Sequence, residues 1–171
     1  MNQNIVDPSL QVCAFRLGTD LFAIDLKFVQ EVFRYQECTP VPLSSRSVKG
    51  LLNLRGQIVM AIDLRERLGI ATRVEGKTPI SILVRSQNSA MCFLVDELFD
   101  IITLEAGQYE PIPETLGAEE RRHASACFKL DNELMTLLDV HSLGDLEGSV
   151  FNSQVGKLNR LPLQPHEAGA T

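Results

Sequence analysis

The residues best suited to chemistry in this 171-residue chain are three histidines, four cysteines, a paired serine, a recurrent set of aspartates and one arginine placed before a glycine. His123, His141 and His166 have no metal-ligand spacing among them. Cys13, Cys38, Cys92 and Cys127 are widely scattered without a C-x-x-C, and three of them sit inside apolar runs. That placement fits small buried hydrophobes in a reducing compartment rather than a disulfide or metal set. Ser44-Ser45 has no base signalled near it and reads as turn-forming. No G-x-S-x-G, P-loop or G-x-G-x-x-G is present. Asp25, Asp63, Asp96 and Asp139 each end an apolar run. Short carboxylates at such positions form turns and bind local backbone N–H groups, so these are not read as paired acids. The expectation is a chain with no catalytic, metal or cofactor site.

Arg55 is different. It follows Asn53-Leu54 and precedes Gly56, at a hairpin tip. A guanidinium there offers a rigid fork of donors to a partner carboxylate. Spacing alone does not separate that role from an ordinary exposed turn residue.

Charge and composition narrow the partners. The net charge is -6 and aromatic residues are 6% with no Trp, which disfavours both phosphate-backbone binding and base stacking. Arg46, Lys49, Arg55, Arg65, Arg67, Arg73 and Lys77 crowd the middle of the chain. Asp96, Glu97, Asp100, Glu105, Glu110, Glu114, Glu119 and Glu120 follow without an intervening Lys or Arg. Opposed patches of this kind orient protein partners. The N-terminus has neither a basic nor an apolar leader segment, and no run approaches the ~18 apolar residues of a membrane span.

The elements that must position these residues come in a repeated order. Val12–Phe15, a turn at Leu17-Gly18-Thr19-Asp20, Leu21–Asp25 and Phe28–Phe33 are followed by a Pro-containing connection, then Leu51–Leu54, Arg55-Gly56 and Ile58–Asp63. Ile80–Val84, a polar turn, Met91–Asp96 and Leu98–Ile101 are followed by a connection with Pro111 and Pro113, then Cys127–Leu130, Asp131-Asn132 and Leu134–Asp139. Both copies close on Leu-Gly. Short apolar runs bounded by Gly, Asn and Asp are strands and hairpins. Arg-Gly and Asp-Asn suit two-residue turns, since Gly and Asn tolerate positive φ. The runs are continuously apolar rather than alternating, so both faces must be covered. This predicts an all-β chain of two similar barrels, one from each half (about 10–70 and 78–147), packed together. Short helices are expected near Leu64–Leu68, around Ala118–His123 and after His141, with a frayed tail over 156–171.

The sequence resembles the CheW family, the coupling proteins of bacterial chemosensory arrays. The resemblance rests on Phe15-Arg16-Leu17-Gly18, Ile24-Asp25-Leu26 with Val29-Gln30-Glu31-Val32, and Gly50-Leu51-Leu52-Asn53-Leu54-Arg55-Gly56 followed by Ile62-Asp63-Leu64-Arg65. Leu94-Val95-Asp96, Leu130-Asp131 and Leu137-Leu138-Asp139 add to it, and it runs from about Val12 to Leu146 within a single domain spanning 10–147. It implies two SH3-like five-stranded barrels, no enzymatic activity and no cofactor. It also implies a cytoplasmic adaptor recruited to membrane-associated receptor arrays. Its partners would be the cytoplasmic tip of methyl-accepting chemoreceptors, the regulatory domain of the histidine kinase CheA and other CheW-like domains in rings, with no nucleic acid and no membrane insertion. A receptor helix hairpin would dock in the groove between barrels. By the same resemblance Arg55 is the receptor-coupling residue, Val29 and Glu31 contact partners, and Lys49, Gly50, Asn53, Leu54 and Gly56 complete the site. Gly18, Gly50 and Gly56 equally suit turn geometry. Met60, the Pro42–Ser45 connection and His123–Ala126 depart from the family's usual residues. A pathway for twitching motility or gene regulation rather than swimming fits the same residues. A nucleic-acid-binding double barrel or a small hydrolase are the rivals from other classes.

Overall fold

A computed structural model describes residues 9–42, 44–71, 76–87 and 89–146. The strands are β1 (Gln11–Leu17), β2 (Asp20–Asp25), β3 (Val29–Arg34), β4 (Val48–Leu54), β5 (Gln57–Asp63), β6 (Ile80–Ser86), β7 (Ser89–Val95), β8 (Glu97–Thr103), β9 (Tyr109–Glu110), β10 (Ala124–Leu130) and β11 (Glu133–Leu138). The helices α1 (Leu64–Arg67), α2 (Ala118–His123) and α3 (Val140–Gly144) fall where the sequence places them, and Leu26–Phe28 and Ala106–Gln108 are single 3₁₀ turns. None of these helices is long and apolar enough to cross a membrane. The 156–171 segment lies outside the described residues.

The strands form two sheets, but not one per half. Sheet I runs β8-β1-β2-β11-β10-β9 and sheet II runs β3-β6-β7-β5-β4. The expectation that each half of the chain builds its own barrel is therefore corrected. The halves exchange strands. Sheet I takes the first hairpin of the first half, then the third strand and second hairpin of the second half. Sheet II takes the converse set. The exchange is joined by two parallel pairs, β2 with β11 and β5 with β7, among otherwise antiparallel ladders. Sequence order alone favoured the local assembly; the long-range pairing covers both faces of the β1–β2 and β6–β7 hairpins.

That covering is visible in alternate residues. On β1, Cys13, Phe15 and Leu17 face a core shared by the two sheets, where they meet Phe22, Ile24, Met60, Ile62, Ile82, Val84 and Phe93. The intervening Val12 and Ala14 face a second cluster with Leu21, Ala23, Phe128 and Met135. Leu52, Val59, Ala61, Leu83, Cys92 and Leu94 form the matching inner cluster of sheet II. No helical residue joins either inner cluster, so each sheet buries that face by curling on itself, as a small barrel does. The helices contribute Leu64, Val140 and Leu143 to the shared core.

The cysteines behave as small hydrophobes: all four are free thiols, and Cys13, Cys92 and Cys127 are buried. Burial pushes the Cys92 thiol up to about 12. Three of the strand-end aspartates act as expected, with Asp25, Asp63 and Asp139 accepting the N–H groups of Lys27, Arg65 and His141 at 2.9–3.0 Å. Asp96 instead binds the Arg65 side chain, with Nη2 2.5 Å from Oδ2, and the Gly18 N–H. Arg67 donates to the carbonyls of Leu143, Ser142 and Asp145. The basic middle of the chain is thus not one free patch, because two of its arginines are committed internally.

His123, in the stretch that departs from the family's usual residues, ends α2 and is 1% exposed. Its Nδ1 lies 2.6 Å from Ser142 Oγ, and its Nε2 has no hydrogen-bond partner. Burial foremost, then the Arg67 and Arg122 cations, hold its pKa below the ordinary value, against the opposing pull of Glu119 and Asp139. The unfolded chain, at about 6.5, takes up the proton first, so this residue's contribution is complete above that pH and is lost as pH falls below it. In urea titrations at pH 7.5 and 5.5, the wild-type midpoint should fall more on acidification than that of His123→Gln. Equal falls would remove His123 as the cause.

Candidate functional site

Arg55 and Gly56 close the β4–β5 hairpin between the paired residues Leu54 and Gln57. Both have positive φ, 54° and 84°, the two-residue turn whose twist matches antiparallel strands. Gly takes that conformation freely, whereas Arg does so at a cost. Asn53 offsets part of it, since its Oδ1 accepts the Gly56 N–H at 3.0 Å. Asn53 therefore builds the turn that presents Arg55. The other tip expected to use positive φ does not: neither Asp131 nor Asn132 has it.

The Arg55 side chain is 79% exposed and reaches back to Glu31 on β3, with Nη2 2.8 Å from Oε1. Beside it, Arg85 on β6 donates from Nε to Gln30 Oε1 at 3.0 Å and from Nη2 to Gln57 Oε1 at 3.1 Å. Gln30 is the extra residue of a β-bulge, since Val29 pairs with Val84 and Glu31 with Leu83. A cleft of about 270 Å³ lies here, lined by Glu31, Phe33, Asn53, Leu54, Arg55 and Gln57 among others. Four predicted residues thus converge: Glu31, Asn53, Leu54 and Arg55. Gly56 completes the tip.

Three others do not join the cleft. Val29 is half-buried against the shared core. Lys49 is the extra residue of a bulge at the opposite end of β4, with Nζ 3.9 Å from Asp63 Oδ2. At ~3.3 Å per residue, six residues of strand put it about 20 Å from the tip. Gly50 is required by the backbone. Its φ is 151°, and a Cβ there would collide with the Thr39 carbonyl, which accepts the Leu51 N–H at 2.8 Å. Sequence reading missed Arg85, Gln30, Gln57 and Phe33. The available signal was Arg85 itself, a cation directly after the apolar run Ile80–Val84.

The internal repeat gives this end a counterpart on sheet I. Register places β1 with β6, β8 with β3, and the β10–β11 hairpin with β4–β5. Arg16 then corresponds to Arg85. It pairs with Glu133, with Nη2 2.7 Å from Oε1, and lies over the ring of Phe99 at 5.1 Å. The Arg16 hydrogen bond holds the Glu133 carboxyl below its ordinary pKa. Phe99 is the bulged residue of β8, as Gln30 is of β3. Asp131-Asn132 replaces Arg55-Gly56, and a cleft of about 520 Å³ is lined by Phe99, Gln108, Leu130, Asp131, Asn132 and Glu133. The two ends share a frame and differ in charge. Exposed apolar side chains gather on the two exchanged strands, Val32 on β3 and Leu98, Phe99 and Ile101 on β8. Among the described residues, no three His, Cys, Asp or Glu are grouped to hold a metal ion.

Comparison with known proteins gives consistent likenesses. Residues 11–147 match the family model of the CheW-like domain. A probable chemotaxis protein CheW from Rhizobium etli is 28% identical over 133 residues, covering 78% of this chain and 86% of that protein. The chemotaxis protein CheW of Bacillus subtilis is 27% identical, covering 81% and 89% respectively. The crystal structure of the scaffolding protein TtCheW from Thermoanaerobacter tengcongensis superposes with a TM-score of 0.72 at 26% identity, covering 82% of this chain and 95% of that one.

The two site glycines should respond differently to alanine. Gly56 has open space around it, so Gly56→Ala meets only the left-handed penalty of about 1–2 kcal/mol. Gly50→Ala must also displace the Thr39 backbone and its bridge to Leu51. Urea denaturation should show the larger loss for Gly50→Ala; the reverse order would contradict the close approach.

Proposed function

This chain belongs to the CheW-like domain family, and we propose that its Arg55 end is the contact through which a chemoreceptor governs a CheA-type histidine kinase. The protein is a chemotaxis coupling adaptor, and its work is docking. Arg55 carries the reading: the turn holds it in a costly backbone conformation, it is almost fully presented to solvent, and a single exposed ion pair orients it. A pair so exposed contributes at most about 1 kcal/mol to stability, so its placement serves recognition better than folding.

The partners are assigned by surface. The receptor's cytoplasmic helix hairpin takes the apolar residues of the exchanged strands. The space between the sheets is filled by the shared core, so a docking helix meets the rim of that interface rather than its interior. Glu31 and Val29 begin β3 beside that rim, and Glu31 links it to the Arg55 cleft. The regulatory domain of the kinase, and other CheW-like domains in rings, pair with the sheet ends, where the clefts offer side-chain donors and acceptors at fixed positions. The adaptor is cytoplasmic and is drawn to the membrane by its receptor. Signalling is then a coupling between sites, in which receptor movement changes how the kinase is held.

Arg55→Glu should abolish receptor control of the kinase while the melting temperature stays near wild type. Pulldowns with receptor tails and kinase, run beside a thermal melt, read both. Unchanged binding of both partners would remove Arg55 from the contact. The exchange Arg55→Glu with Glu31→Arg separates two roles. Restored coupling would mean the ion pair itself matters, and continued loss would mean the partner reads the arginine.

A further inference from the structure

The chain passes between the sheets at two places only among the described residues: from β2 to β3 through Asp25–Val29, and from β7 to β8 through Asp96. In the internal repeat Asp96 is the counterpart of Asp25, and Arg65 of His141. The two crossings are nevertheless held by different chemistry. At Asp96 the carboxylate accepts Arg65 Nε at 2.9 and 3.0 Å, Arg65 Nη2 at 2.5 Å and the Gly18 N–H at 2.6 Å. Its own N–H donates to Arg16 O at 3.1 Å. Arg65 and Asp96 side chains are 12% and 11% exposed. Arg65 also donates to the Ala71 carbonyl. This one cluster ties α1, which continues sheet II, to the β1–β2 turn of sheet I. At the other crossing, His141 Nδ1 is 2.8 Å from Ser86 Oγ, and its ring meets Phe28 edge-on at 5.3 Å. Asp25 there pairs with its own neighbour Lys27 at 3.3 Å and so does not bridge the sheets.

We infer that Arg65 and Asp96 are positioning residues that fix the angle between the two sheets, and hence between the two docking ends, while the Ser86–His141 bond and the Phe28 contact contribute less to that angle. The inference rests on the adaptor reading for its consequence, though not for its geometry. A bidentate Arg–carboxylate pair resists both shear and rotation, because two parallel bonds must break together. A single hydroxyl–imidazole bond and one ring contact resist rotation less at the other crossing, where Arg67 on α1 adds a second tie by donating to the carbonyls of Leu143, Ser142 and Asp145. Arg16 adds to the effect. It touches Asp96 through its carbonyl and Glu133 through its guanidinium, so the clamp is continuous with the sheet I end.

The test uses the full chain in a Cys38→Ser background, with spin labels at Arg46→Cys on the sheet II side and Glu105→Cys on the sheet I side, both exposed positions. Pulsed electron-spin distance measurements should give a narrow distribution for this labelled protein. Arg65→Lys keeps the charge and loses the fork, and should broaden that distribution roughly twofold, Asp96→Asn at least as much, and Ser86→Ala hardly at all. A second arm measures binding. Each partner alone, the receptor tail or the kinase regulatory domain, should bind the clamp variants within about twofold of wild type, whereas simultaneous binding should weaken about tenfold. Unbroadened distances in folded clamp variants would overturn the inference, as would equal broadening by Ser86→Ala. So would loss of folding in both clamp variants, which would make the pair a folding element. Failure of the wild type to bind either partner would sink the adaptor reading instead, and the distance arm would still decide the clamp.

Discussion

Neither sheet can be completed from one half of the chain. β1 and β2 form a hairpin from adjacent residues, but their outer neighbours are β8 and β11, and the β6–β7 hairpin waits in the same way for β3 and β5. Two hairpins with both faces apolar have no stable existence in water alone. Each gains an inner face when its sheet curls and an outer face when the two sheets meet, and both events require strands from the other half. The exchange thus makes the two barrels one cooperative unit. Pairings as distant as Leu21 with Met135 complete the inner cluster of sheet I, and Ala61 with Cys92 that of sheet II. The shared core is then a consequence of topology rather than an added interface.

This constraint decides which side chains stay outside the cores. Alternate residues along the hairpin strands are consumed by the two kinds of core, so little side-chain chemistry is left over there. What remains lies at hairpin tips, at bulges and on the exchanged strands. Arg55 is at a tip, Gln30 and Phe99 are bulged residues, and Val32 and Ile101 stand at equivalent places on β3 and β8. A bulge turns a side chain out of the pleat without breaking the ladder, which lets a structural strand present one residue sideways. Arg85 and Arg16 then brace the two ends from the strand beside each bulge, one with neutral amides and the other with a carboxylate and a ring.

The sequence made the elements legible because both faces of each hairpin strand leave a composition signal, and because Gly, Asn and Asp mark the turns. The Arg55 tip was legible for the same reason. The exchange of strands was not. Period-two and apolar-run signals say that a face is buried but carry no information about what buries it, so β8 read as one more core strand. In fact Leu98, Phe99 and Ile101 are exposed on an edge. Gly50 read as a docking residue because it belongs to the motif, whereas the close approach of Thr39 depends on a loop whose path no local pattern encodes. Asp96 looked like the other strand-end aspartates for a similar reason. Its difference lies in Arg65, 31 residues earlier, and only the fold brings the two together.

The internal repeat finally accounts for how a small chain carries two ends of one frame without the ends becoming identical. Repetition supplies the frame twice: a bulged edge strand, a bracing arginine and a hairpin tip. Divergence of side chains within that frame supplies direction. One tip is Arg-Gly with its cation turned toward Glu31, and the other is Asp-Asn beside a carboxylate already held by Arg16. A surface complementary to one tip would meet like charge at the other, which disfavours the reversed orientation. The same divergence at the crossings leaves one junction with a part-buried Arg–carboxylate pair and the other with a serine–histidine hydrogen bond. An adaptor that transmits movement needs both properties. It needs two ends that cannot be confused, and a body stiff enough to relate them, which the Arg65–Asp96 pair and the Arg67 bonds to α3 supply at the crossings.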